Sequence, residues 1–173
     1  MKKMNNKGFT LIELLAVITI MGILMMVAIP NVSRTIENSR RDTFADNAVS
    51  YVEAVRKAVL ADELKCGTGS SAKKISAMPD GSYYFKIDTT EDNTKDLMEK
   101  VAKSSWGQAE MVGYVSWVTA NSKSTYSIIL ADTGKHGMTS TVAVDSITRA
   151  DIKTQGADTP TAPSGYTVCT YVG

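Results

Sequence analysis

His136 is the only histidine in this 173-residue chain, and Cys66 and Cys169 are its only cysteines. A lone imidazole without a partner base, nucleophile or ligand set leaves no catalytic constellation to read. Basic excess is missing too: Lys and Arg number 19 against 18 Asp and Glu, for a net charge of +1. That balance does not make the basic surface that nucleic acid requires. Internal repeats are absent. About 110 residues beyond the N-terminal part leave room for one modest globular domain.

Three short motifs fall away for want of partners. Asp132-Thr133-Gly134 follows an apolar strand, like the catalytic triplet of aspartic proteases. That chemistry needs two aspartates about 3 Å apart sharing a proton, and the chain holds one copy. The triplet reads as a β-turn, and His136 beside it as a surface loop residue. Asp88, Asp92, Asn93 and Asp96 raise the question of calcium. An EF-hand loop requires glycine at its sixth position and glutamate at its twelfth. Asn93 occupies the first of these and Glu99 the second, so the glycine is missing and the ligand spacing is wrong. Asn31-Val32-Ser33 has the form of a glycosylation triplet but falls on a helix. No metal, no cofactor and no enzymatic activity are expected.

What the chain does have is a basic octet, Met1 to Gly8, running straight into an apolar stretch from Phe9 to Ile29. As a helix that stretch spans roughly 31 Å, close to the roughly 30 Å of a hydrocarbon core. A secretory core segment is shorter and ends at a small-x-small cleavage site. This one ends at Ala28-Ile29-Pro30, and no cysteine follows to accept a lipid. Lys2, Lys3 and Lys7 keep the leading end cytoplasmic by the positive-inside rule, which puts the rest outside. Taking those three from the 19 basic side chains leaves 16 against 18 acidic, a net −2.

Glu13 interrupts the apolar stretch near its start. A carboxylate near the centre of a membrane helix costs about 2.5–3.5 kcal/mol, less near an end, and such residues usually pair. A cut between Gly8 and Phe9 would give Phe9 a charged α-amine four residues from Glu13. Glu13 would then sit near the positive end of the helix dipole. It could neutralise its own amine or that of a neighbouring subunit.

Gly8-Phe9-Thr10-Leu11-Ile12-Glu13-Leu14 closely resembles the processing site of type IV pilins and the related pseudopilins. The resemblance covers roughly Lys7 to Pro30. It implies cleavage after Gly8 by the prepilin peptidase, N-methylation of Phe9, and an assembly role for Glu13. The family's helix-softening glycine and proline fall on Gly22 and Pro30. Gly22 costs about 1 kcal/mol relative to alanine in a helix, and Pro30 removes one helical N–H. The family's second proline is replaced by Ser50, and the leader is of the short, type IVa kind. The implied partners are further copies of the chain, minor pilins, the prepilin peptidase, an inner-membrane platform with its ATPase motor, and the membrane around the precursor. The implied product is an extracellular filament for adhesion, motility or biofilm. The alternatives are a pseudopilin of a type II secretion or DNA-uptake pseudopilus and, in another class, a membrane-anchored binding or enzyme domain. A conducting filament would need a dense aromatic track, and between Phe9 and Lys65 only Phe9, Phe44 and Tyr51 are aromatic.

The expected fold class is α+β. A leader at 1–8 precedes a membrane and filament-core helix at 9–29, its amphipathic continuation at 30–65, and a β-rich head at 66–173. Val32, Ile36, Phe44, Ala48, Val52, Val55 and Val59 recur at helical spacing and mark one apolar face. The helix is expected to end near Lys65 with Gly67 as its cap. Strands are expected at Ser82–Asp88, Met111–Thr119, Thr125–Ala131, Thr141–Asp145 and Tyr166–Val172, with a short helix at Thr94–Ser104 capped by Asn93. Trp106, Trp117, Tyr114 and Tyr126 read as sheet-core or edge residues. Gln155 to Gly165 reads as an exposed loop. Cys66 and Cys169 form an even pair in a chain whose body should lie outside the cytoplasm, which makes a disulfide the expectation.

Overall fold

The alternation of Tyr83, Phe85 and Ile87 with Tyr84, Lys86 and Asp88 gives a strand with one buried face. The same rule sets the neighbouring hairpin, and together they form the centre of the sheet. The computed structural model describes residues 9–98, 102–107 and 109–172. The expected leader at 1–8 lies outside the described residues, as does Val101. Two units are distinguished, Met1–Asn38 and Ser39–Gly173, and helix α1 (Leu11–Leu60) contributes to both.

In the second unit, Phe44, Ala48, Tyr51, Val52, Val55 and Ala58 of α1 are buried. Their three- and four-residue spacing makes the stripe that a helix presents to a sheet. Val32 and Ile36, expected on the same face, are exposed. The chain then runs through β1 (Leu64–Cys66), β2 (Lys73–Lys74), β3 (Gly81–Asp88), α2 (Asp92–Leu97), β4 (Met111–Ala120), β5 (Lys123–Asp132), β6 (Gly137–Met138), β7 (Val142–Ala143), β8 (Ile152–Lys153) and β9 (Thr167–Tyr171). These make a nine-stranded sheet in the order β2-β1-β9-β3-β4-β5-β6-β8, with β7 also on β5. All pairs are antiparallel except β3 with β9. The fold is α+β. Phe85, Ile87, Met111, Val115, Trp117, Ile128 and Leu130 join the helix stripe in one core. Each such large apolar side chain is worth about 1.5–3 kcal/mol on burial.

Several expected boundaries move. Helix α1 ends at Leu60, before Lys65, because Asp62 takes a left-handed φ of 56° and turns the chain into β1. Gly67 therefore follows a strand rather than capping the helix. The short helix is Asp92–Leu97, shorter than expected, and Asn93 does not cap it. Its Oδ1 instead accepts the Tyr171 N–H at 2.7 Å. The segment expected as one strand at Thr141–Asp145 holds only the two residues of β7 before a 3-10 turn at Val144–Ser146. The β4–β5 turn is tighter than expected: Asn121 and Ser122 both have positive φ, as a two-residue hairpin turn demands.

Candidate functional site

Near the start of the described chain Thr10 and Glu13 close a reciprocal cap on α1. The Thr10 backbone N–H and hydroxyl both donate to Glu13 Oε2 at 2.8 Å. The Glu13 N–H donates back to Thr10 Oγ1 at 3.3 Å. This is a capping box, in which a hydroxyl and a carboxylate three residues apart satisfy otherwise orphaned helix N–H groups. Sequence reasoning weighed only the charge of Glu13 and missed Thr10. The Thr-x-x-Glu spacing ahead of an apolar run was the available signal. Both Thr10 bonds go to Oε2, and no bond to Oε1 is seen among the described residues.

Around this cap the surface is apolar. Glu13 lines a concavity with Phe9, Leu14, Ala16 and Val17. From Phe9 to Ile29 every large hydrophobic side chain is between 49% and 92% exposed. Such an area on one helix calls for lipid or protein to cover it. Gly22 lies in this stretch, and a Cβ there would meet nothing within 4 Å. Local packing therefore does not require the glycine. Pro30 sits inside the helix. Gly8 lies outside the described residues.

The second unit holds the other polar cluster. Asp132 is buried. It accepts the Ser104 hydroxyl, the His136 N–H at 2.8 Å, and His136 Nδ1 at 2.8 Å on Oδ2. The His136 ring stacks on Trp106 with centroids 4.8 Å apart and planes 2° from parallel. His136 thus lies in a loop, as expected, but is half-buried and engaged rather than standing at the surface. Ser104 spends its hydroxyl on the aspartate and is not aligned by the imidazole, so this trio lacks an activated nucleophile. Its effect is structural. It pins segment 102–106, which is also tied to α1: the Tyr51 hydroxyl donates to Ala102 O at 2.7 Å, Ser105 Oγ to Arg40 O at 2.8 Å, and Asn47 Nδ2 to Lys103 O at 3.1 Å. Burial, aided by the charge of Glu110, pushes the Tyr51 phenol well above the usual tyrosine value. Arg149 clamps Asp42 of α1 through two bonds of 2.8 and 2.6 Å, and the guanidinium holds that carboxyl below its usual range.

Cys66 and Cys169 face each other across β1 and β9 and are joined as a disulfide, with Cα atoms 4.0 Å apart. Among the described residues no group of histidine, cysteine, aspartate or glutamate side chains is arranged to hold a metal ion. Asp88 instead engages Lys86 at 3.2 Å and the Thr90 hydroxyl at 2.6 Å.

A helix long and apolar enough to cross a membrane, bare along that stretch, leads into a sheet-backed head. These features support a membrane-anchored precursor. A family model for the prokaryotic N-terminal methylation motif matches residues 3–29. That motif is the class III signal peptide of type IV pilins, and its match supports a type IV pilin- or pseudopilin-like precursor. It implies processing by a prepilin peptidase and delivery to pilus-type assembly machinery. No curated protein and no solved structure matches the chain.

Proposed function

We propose that the chain is a subunit of a type IV pilus. It is held in the cytoplasmic membrane with its N-terminus inside, cut after Gly8, methylated on Phe9, and polymerised through α1 into an extracellular filament. The observation that carries this reading is the capped carboxylate at the head of a bare apolar helix. Thr10 occupies one oxygen of Glu13, which leaves the other for a cation. The new α-ammonium of Phe9 on a neighbouring copy is that cation. In an apolar setting the pair is strong and sensitive to register. Gly22 and Pro30 supply points at which the helix yields on leaving lipid. Exchanging lipid for helix brings little hydrophobic gain, so packing, the ion pair and a motor supply direction. The disulfide-closed head coats the filament, and neighbouring minor pilins and the assembly platform complete the system.

Mass spectrometry of the N-terminal peptide from surface material tests the processing step. Mature, N-methylated Phe9 is expected, and Gly8→Trp should leave precursor in the membrane. Intact Met1 on surface material would falsify the reading. Filaments lost on deletion of the gene are expected of a major pilin, and filaments that survive deletion would leave a minor pilin or a pseudopilin.

A further inference from the structure

The face of the β4–β5 hairpin turned away from α1 carries a pocket of about 410 Å³ that the filament reading does not use. This volume lies within the range of about 300–1,000 Å³ typical of small-molecule sites. Its walls alternate in character. Tyr114, Ile129 and Pro163 supply apolar surface, and Ser116, Thr161 and Ser164 supply hydroxyls. Thr141 adds a further hydroxyl to the lining. The register sets Tyr114 opposite Ile129 on one side and Lys86 on the other. The Tyr84 ring meets that of Tyr114 edge-on at 5.6 Å and 74°, which holds it in place.

No charged side chain lines the pocket. The cation nearest in register, Lys86, is already occupied by Asp88 at 3.2 Å and Glu91 at 2.6 Å. Ser116 is bonded to Ser127 at 3.0 Å. The hydroxyls of Tyr114, Thr141, Thr161 and Ser164 take no partner among the described residues. The loop that closes the pocket carries Pro160 and Pro163, whose fixed φ limits the entropy lost on binding.

These features select a ligand class. A charged ligand would give up its hydration and meet no counter-charge. A purely apolar ligand would bury hydroxyls without partners. A neutral pyranose has an apolar C–H face for the tyrosine ring and a rim of hydroxyls for the serines and threonines. We propose that this pocket binds an uncharged sugar unit. The inference concerns the head alone and holds for either kind of filament.

The test uses the full chain in zwitterionic, sugar-free micelles, followed by amide NMR. Methyl glucoside, methyl galactoside, methyl mannoside and N-acetylglucosamine are titrated separately, with N-acetylneuraminic acid as the charged comparison. At least one neutral sugar should give saturable shifts at Tyr114, Ile129 and residues 161–164, with Kd on the order of 1 mM. Joint Thr161→Ala and Ser164→Ala substitution, confined to the loop, should weaken binding about tenfold. Tyr114→Phe should retain most of the affinity, because the ring remains. The proposal is overturned if none of the four neutral sugars saturates, if binding ignores the loop substitutions, or if N-acetylneuraminic acid binds as tightly as the best neutral sugar.

Discussion

At residue scale, Glu13 has two separable properties. One is the shape of an acceptor that closes the cap with Thr10, and the other is its charge. Glutamine can close a capping box as glutamate does, but it carries no charge. Glu13→Gln should therefore insert, keep its helix start and be cleaved, yet yield few filaments. Thr10→Ala removes about 1 kcal/mol of capping and leaves the charge, so it should assemble better than Glu13→Gln. Quantifying sheared surface filaments alongside cleaved subunit in the membrane checks both. Wild-type filament yield from Glu13→Gln would remove the proposed role of the charge. The position of Glu13 was legible as an anomaly because a carboxylate in an apolar run is conspicuous. Its partner Thr10 is an ordinary threonine until the spacing of three is noticed.

At the scale of elements, segment 102–106 joins α1 to the β5–β6 turn, and Tyr51 supplies one of its ties. An unfolded tyrosine ionises near pH 10, while the buried Tyr51 stays protonated well above that. A phenol whose folded value is raised contributes fully below about pH 10, and that contribution is lost as pH rises beyond it. Tyr51→Phe should thus cost about 1 kcal/mol at neutral pH, through the bond lost to Ala102. The substituted chain should also lose less stability than wild type between about pH 10 and 12. Urea unfolding at both ends of that range checks the crossing. The elements differ in how far sequence revealed them. Strand β3 and the β4–β5 hairpin announce themselves by alternation, and the Phe44–Val55 stripe by helical spacing. Strands β2, β6, β7 and β8 have two residues each, too few for any period to show. The stack of His136 on Trp106 joins residues far apart in sequence, so no local pattern could signal it. Helix α1 stops early because residues 64–66 are claimed by β9, itself a distant partner.

At the scale of the whole molecule, the disulfide links residues 103 apart and closes most of the head into one loop. A loop of this length restricts the unfolded chain by about 4.7 kcal/mol on the chain-entropy argument. Replacing both cysteines by alanine should lower the urea midpoint by an amount consistent with a few kcal/mol and leave the N-terminal helix unchanged. An unaltered midpoint would mean that the bridge adds nothing beyond the β1–β9 pairing. The pairing of Cys66 with Cys169 could be read from an even count and an expected extracytoplasmic setting. That the two would face each other across neighbouring strands could not.

Strand β9 is made after all the other strands described, yet it lies between β1 and β3. The slot between β1 and β3 therefore stays unfilled until the closing segment of the chain folds into it. A product that halts before Thr167 exposes two unpaired strand edges to its neighbours and becomes prone to clumping and degradation. The architecture thereby tells finished heads from unfinished ones.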